Sequence, residues 1–145
     1  MRRRPGQTIL HLSLPVHDLG AARRFYVDLL GCTPGRVRDG WIDVWFYGMQ
    51  VTLQEQPEQL LTDEERGVRH FGVTVSADEL HAVVRRLEAA RVRWLQPLTT
   101  DHPGTPQEQT KAKVLDPSGN AIELKAYADP AVAFAADASE QPPPR

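Results

Sequence analysis

One short pattern occurs twice in this chain. His11-Leu12-Ser13-Leu14-Pro15-Val16 returns fifty-nine residues on, from position 11 to position 70, as His70-Phe71-Gly72-Val73-Thr74-Val75. Internal similarity of this kind marks a duplicated supersecondary unit and restricts the fold more than any composition does. Both copies alternate apolar with polar or small residues, the period-2 signal of a strand buried on one face.

A helical pattern comes after each copy. After the first, Asp18 is a suitable N-cap, Leu19, Ala22, Phe25, Tyr26, Leu29 and Leu30 fall on one helical stripe, and Gly31 is a natural stop. After the second, Ser76-Ala77-Asp78-Glu79 has the form of a capping box, and Leu80, Val83, Val84 and Leu87 form the stripe. Short strand-like runs come next: Thr33 to Val37, Trp41 to Tyr47 and Met49 to Gln54, then Val92 to Leu95, Thr110 to Leu115 and Ala121 to Tyr127. The order βαβββ therefore appears twice, over residues 7–56 and 68–128, in a single α+β domain spanning 1–128. Pro57 to Gly67 reads as a polar connector and Asp101 to Glu108 as a long loop. From Asp129 the chain is rich in Ala, Pro and Asp, and residues 129–145 read as a disordered tail.

Strand parity turns the repeat into a candidate site. Leu10, Leu12 and Leu14 share one face, so His11 and Ser13 point the other way. Phe71, Val73 and Val75 leave His70, Gly72 and Thr74 opposite; Ile122 and Leu124 leave Glu123, Lys125 and Tyr127 opposite. If the modules meet around a pseudo-twofold axis, His11 and His70 become symmetry mates with Glu123 in the same curved sheet. Two imidazoles and one carboxylate form a facial set that leaves coordination positions open and suits Fe(II), with Mn²⁺, Zn²⁺ or Ni²⁺ also fitting by ligand type.

Charge and cysteine content narrow the partners. With 17 Lys and Arg against 19 Asp and Glu, nothing points to nucleic acid. No run approaches the roughly 18 apolar residues of a membrane span. Cys32 is the only cysteine, which excludes an internal disulfide and fits a cytoplasmic setting. It reads as a small packed residue rather than a nucleophile.

The stretches His11-Leu12-Ser13-Leu14-Pro15-Val16-His17-Asp18-Leu19, Phe25-Tyr26 with Leu29-Leu30-Gly31, His70-Phe71-Gly72-Val73, and Asp116-Pro117-Ser118-Gly119-Asn120-Ala121-Ile122-Glu123-Leu124 resemble the vicinal oxygen chelate superfamily. That superfamily includes glyoxalase I, bleomycin-resistance proteins, fosfomycin-resistance thiol transferases and extradiol dioxygenases. The resemblance covers residues 8 to 127. It implies that His11, His70 and Glu123 are the metal ligands, that the paired modules form a cup around a divalent metal, closed within one chain or across a dimer, and that the protein acts on a small molecule, members of the family often being homodimers.

Within such a family the fourth strand discriminates. Glyoxalase-type members add a carboxylate ligand there, whereas here Gln50, Thr52 and Gln54 face the cup and Glu55 has the wrong parity. The full ligand triad argues against a metal-free drug-sequestering protein of the bleomycin-binding type. The expectation is a non-haem Fe(II) dioxygenase acting on a small oxygenated or aromatic compound. A glyoxalase-type lyase or a fosfomycin-type thiol transferase is the alternative. Trp41, Asp43, Trp45, Gln50 and Gln54 are the candidate substrate-binding residues. Lys125 is placed to stabilise a developing anion and Tyr127 to donate a hydrogen bond, with Gln109 and Lys111 at the rim. Of the remaining histidines, His17 falls in a turn, His81 on a helix surface and His102 in the long loop.

Overall fold

The computed structural model of the chain describes residues 4–135. Two βαβββ modules are present. The first consists of β1 (His11–Val16), α1 (Leu19–Arg23) continued by a π-helical segment (Arg24–Leu29), β2 (Thr33–Arg38), β3 (Trp41–Phe46) and β4 (Met49–Glu55). The connector holds a 3-10 turn, Pro57–Gln59, and the short helix α2 (Asp63–Arg66), which opens with a capping box between Thr62 and Glu65. The second module consists of β5 (Phe71–Thr74), α3 (Ala77–Ala89), β6 (Arg93–Asp101), β7 (Gln109–Leu115) and β8 (Ala121–Tyr127).

The modules form separate four-stranded sheets with matching orders, β1-β4-β3-β2 and β5-β8-β7-β6. In each, the first strand pairs in parallel with the last, and every other pairing is antiparallel. A parallel partner demands a crossover, which the helix supplies. The strands next to the two repeat histidines are therefore sheet edges.

The helices cover one face of each sheet, as the stripes require. Leu80, Val83, Val84 and Leu87 of α3 are buried against Ile122 and Leu124, and Ala22, Phe25 and Tyr26 against Val51 and Leu53, in one continuous core. The modules meet where Phe46 packs edge-on to Phe71 at 5.3 Å and where Arg86 Nε donates to the Leu29 carbonyl at 2.9 Å.

Three elements differ from the sequence expectation. The first helix widens to a π-helix, with Leu30 N–H bonding to the Phe25 carbonyl at 3.0 Å and Cys32 N–H to the Tyr26 carbonyl at 2.9 Å. Phe25 and Tyr26 are both buried in this segment, and the Tyr26 hydroxyl donates to Asp116 at 2.9 Å. β6 runs on to Asp101 instead of ending near Leu95. It tolerates Pro97 because it is an outer strand whose register shifts around that residue. Finally, residues 129–135, assigned by composition to the disordered tail, include a 3-10 turn (Pro130–Phe134) capped by Asp129. The rest of that expected tail, 136–145, lies outside the described residues.

Candidate metal centre

The close approach of β5 to β8 builds the centre of the site. Gly72 lies opposite Glu123 in the ladder, and a Cβ on Gly72 would stand 1.9 Å from the Glu123 carbonyl oxygen. Only glycine permits the strands to come this near. The result is that His70, immediately before β5, brings Nε2 to 2.8 Å from Glu123 Oε2. The other ring nitrogen, Nδ1, lies 2.7 Å from the Val68 carbonyl. A carbonyl only accepts, so Nδ1 carries a hydrogen, and Nε2 meets the carboxylate either through a second ring hydrogen or through a cation that both atoms ligate. Two electron-rich atoms 2.8 Å apart need a cation between them, a proton or a metal ion. A carbonyl fixing the far nitrogen is also how ligand histidines are oriented.

Around the pair lies a hollow of about 230 Å³ lined by residues 70–74, Glu123 and Lys125. Lys113 stands on β7, opposite Glu123 in register, with Nζ 4.0 Å from Oε2. Lys111 is one step along on the same face, opposite Lys125, and is bound to Asp101 at 2.6 Å. Tyr127 presents its ring to the Lys125 ammonium, 5.8 Å from the centroid, and pairs with Gln109. The sequence reading passes over Lys113, although the alternation through Gln109 and Lys111 reaches it.

The remaining expected residues stand on the first module. His11 opens β1 and is exposed, and its side chain has no hydrogen bond or ion pair among the described residues. Among those residues no three His, Cys, Asp or Glu side chains come together to hold a metal ion, so the single-chain cup joining His11 to His70 and Glu123 does not form. The two histidines sit at matching edges of separate sheets, and packing through Phe46 and Phe71 does not bring those edges into one ladder.

Asp43, at 2% exposure, takes hydrogen bonds from Arg36 Nε at 2.7 Å, Thr52 Oγ1 at 2.7 Å and Gln50 Nε2 at 3.3 Å, tying β2, β3 and β4 together. Gln54 donates to Ser13 Oγ, and Trp41 lies under the Arg36 guanidinium at 5.1 Å. Trp45 lines a different cavity, of about 640 Å³, with Cys32, Tyr47, Glu79 and Arg86 where the modules meet. Glu55 accepts from Leu19 N–H at the start of α1, away from the cup. His17 bonds Ser118, His81 bonds the Ala77 carbonyl and His102 sits in an exposed turn; none reaches the hollow.

The sequence over residues 8–124 matches the model of the Glyoxalase/Bleomycin resistance protein/Dioxygenase superfamily. The chain belongs to that superfamily. A glyoxalase/bleomycin resistance protein/dioxygenase from Alicyclobacillus acidocaldarius superposes with a TM-score of 0.72 at 27% identity, over 88% of this chain and 96% of that one. The genomically encoded fosfomycin resistance protein of Listeria monocytogenes shares the fold at a TM-score of 0.68 and 17% identity, covering 83% and 93%. Lactoylglutathione lyase from Agrobacterium tumefaciens does so at 0.59 and 20%, covering 85% and 96%. No curated protein matches the chain. Members of the glyoxalase superfamily are often metal-dependent enzymes, and the His70–Glu123 pair has the donor chemistry for a divalent ion. This chain supplies two such donors at one place, and His11 stands apart.

Proposed function

We propose that the protein is a metal-dependent enzyme in which His70 and Glu123 of one chain and His11 of a second copy hold a divalent metal, with Fe(II) favoured. The observation that carries the reading is the His70–Glu123 contact, a nitrogen and a carboxylate donor held 2.8 Å apart beside an open hollow, a pair that a divalent metal can take up in place of a proton. The second copy is supported by what surrounds the two histidines. Leu10, beside His11, is 72% exposed, and Val68, two residues before His70, is 89% exposed. Apolar side chains left open at both half-sites suit a symmetric contact between copies.

Each residue then has a task. The Val68 carbonyl fixes the His70 tautomer, so that Nε2 remains a donor to metal. Glu123 supplies the negative charge, and Lys113 at 4.0 Å steadies the carboxylate. Gln50 and Thr52 are committed to Asp43 and Gln54 to Ser13, and the one carboxylate of β4, Glu55, is turned to the Leu19 N–H, so coordination positions stay open for substrate. A metal held there supplies Lewis-acid chemistry to substrate oxygens and, as iron, redox chemistry with dioxygen. The reaction favoured is therefore dioxygenation of a small oxygenated or aromatic compound.

Mixed dimers test the arrangement. His11→Ala and His70→Ala chains should each bind no metal alone, while a co-refolded equal mixture should recover about one quarter of wild-type metal, because half the dimers are mixed and each has one intact site. A mixture that stays metal-free, with dimers verified by sedimentation, overturns assembly across copies. Oxygen uptake by the iron-loaded protein with catechols tests the dioxygenase assignment; turnover of a substrate by the Mn²⁺ or Ni²⁺ form with no oxygen consumed would replace it with lyase or transferase chemistry.

A further inference from the structure

The second module's open face concentrates positive charge beside the His70–Glu123 pair. Three lysines, Lys111, Lys113 and Lys125, rise from the two central strands of that sheet beside the His70–Glu123 pair. Lysines at such positions are costly, because like charges directly opposite across a ladder destabilise it, and Lys111 is directly opposite Lys125. Lys111 is compensated by Asp101 at 2.6 Å and Lys113 by Glu123 at 4.0 Å. Lys125 has no acidic partner among the described residues. Its ammonium lies 5.8 Å from the Tyr127 ring centroid, and the residue lines the same hollow as His70 and Glu123. A half-buried cation with no carboxylate partner, on a residue that lines the hollow beside the His70–Glu123 pair, is suited to an anion that is not part of this chain.

We propose that Lys125 binds an anionic oxygen group of the substrate, a carboxylate or a phosphonate, with Lys111 and Lys113 maintaining the positive field around it. The assignment rests on the metal-centre reading for its geometry: the anionic group sits against Lys125 while a neighbouring substrate oxygen faces His70 and Glu123. A lysine ammonium acts as a point charge with rotatable donors, so it reads charge more than shape and accepts either anion. The hollow holds only about 230 Å³, which fits the acidic end of a small molecule and leaves the remainder to the other half of the cup.

The test uses the full-length protein, metal-loaded and metal-free, titrated calorimetrically with three probes. Glycolate and hydroxymethylphosphonate each carry a hydroxyl beside an acid, and glycolamide is the neutral counterpart. Both anions should bind at least tenfold more tightly than glycolamide, and the tighter of the two names the acid. Lys125→Met should weaken anion binding about tenfold, the effect of losing one charge-assisted hydrogen bond of roughly 1.5 kcal/mol. It should leave glycolamide unchanged, and Lys125→Arg should restore most of the loss. Lys113→Met should produce a smaller loss of the same sign. Glycolamide binding as tightly as the anions, or anion binding indifferent to Lys125→Met and Lys125→Arg, overturns the proposal. Metal content measured on the same samples keeps the two readings apart. Protein that takes up no metal yet binds the anions through Lys125 retains this inference and loses the metal centre. Fully loaded protein whose anion binding ignores Lys125 does the reverse.

Discussion

Replacing Gly72 with alanine should damage fold and metal site together, and the size of the damage can be worked from the strand spacing. The added Cβ would lie 1.9 Å from the Glu123 carbonyl oxygen, 2.8 Å from its carbon and 3.1 Å from Glu123 Cα. All three are backbone atoms, so no side chain can swing aside. Restoring an ordinary separation of about 3.5 Å means parting β5 from β8 by roughly 1.6 Å. That stretches neighbouring ladder bonds such as Val75 N–H to the Lys125 carbonyl, now 2.8 Å, beyond hydrogen-bonding range. Overpacking of this kind costs about 1–3 kcal/mol, and one or two weakened backbone bonds add about 1 kcal/mol each, for a total of about 2–5 kcal/mol. A chain of this size then melts about 10 °C lower.

The same movement opens the 2.8 Å contact between His70 and Glu123, so metal affinity should fall by about 10- to 100-fold, the range seen when ligand orientation is lost. Gly35→Ala is the control. Its Cβ would meet Asp43 at 2.9 Å on the first module, destabilising the fold without touching β5 or β8. Calorimetric melting and Mn²⁺ titration of both variants separate the effects. Gly72→Ala melting within about 2 °C of wild type, or losing no more metal affinity than Gly35→Ala, would refute the reasoning.

Burial pushes the Cys32 thiol up to about 12, so Ellman's reagent at about pH 8 should leave it unmodified in native protein and titrate one thiol after denaturation; rapid native reaction would contradict its packing. Asp116→Ala removes the acceptor for Tyr26 Oη, Ser118 N–H, Asn120 N–H and Asn120 Nδ2, and should cost about 3 kcal/mol in denaturant unfolding. Burial raises the Asp116 carboxyl above its usual 3.8, so the folded state holds that proton more tightly than the unfolded one. Wild-type stability should therefore fall relative to Asp116→Asn as pH rises through the interval just above 3.8, and a gap that widens in favour of wild type over that interval would reverse the sign. Glu123→Gln should abolish stoichiometric metal binding while changing metal-free stability by about 0.5 kcal/mol or less; metal retained at wild-type affinity would remove Glu123 from the ligand set.

How far the sequence reaches is set by which physical signals are local. The period-2 runs and capped helical stripes are local, and the two βαβββ modules with Ile122 and Leu124 inward and Glu123 outward come from them. The π-helical segment is hidden, because one residue gained in a turn still leaves Phe25, Tyr26 and Leu29 on the apolar stripe. Pro97 masks most of β6. At the site, parity places Lys125 with Glu123, but Lys113 lies in a run whose chemistry is visible only once β7 is paired with β8. The separation of His11 from His70 depends on how one module leans on the other through Phe46, Phe71, Leu29 and Arg86, and no periodicity within either module encodes that.

Gly72 also decides which alignment of β5 on β8 can exist. β5 has four residues and lies at a sheet edge, the kind of strand most free to slip during folding. A slip of one residue sets Phe71 or Val73 against Glu123 and turns every side chain over; a slip of two keeps the faces but sets His70 or Thr74 there. In the two-residue slips, which keep the faces, His70 or Thr74 would carry a Cβ where the Glu123 carbonyl leaves no space. Of the alignments that keep the faces, one puts hydrogen in that gap, and it is the one in which His70 meets Glu123. A single absent methyl group thus selects both the strand's registration and the donor pair.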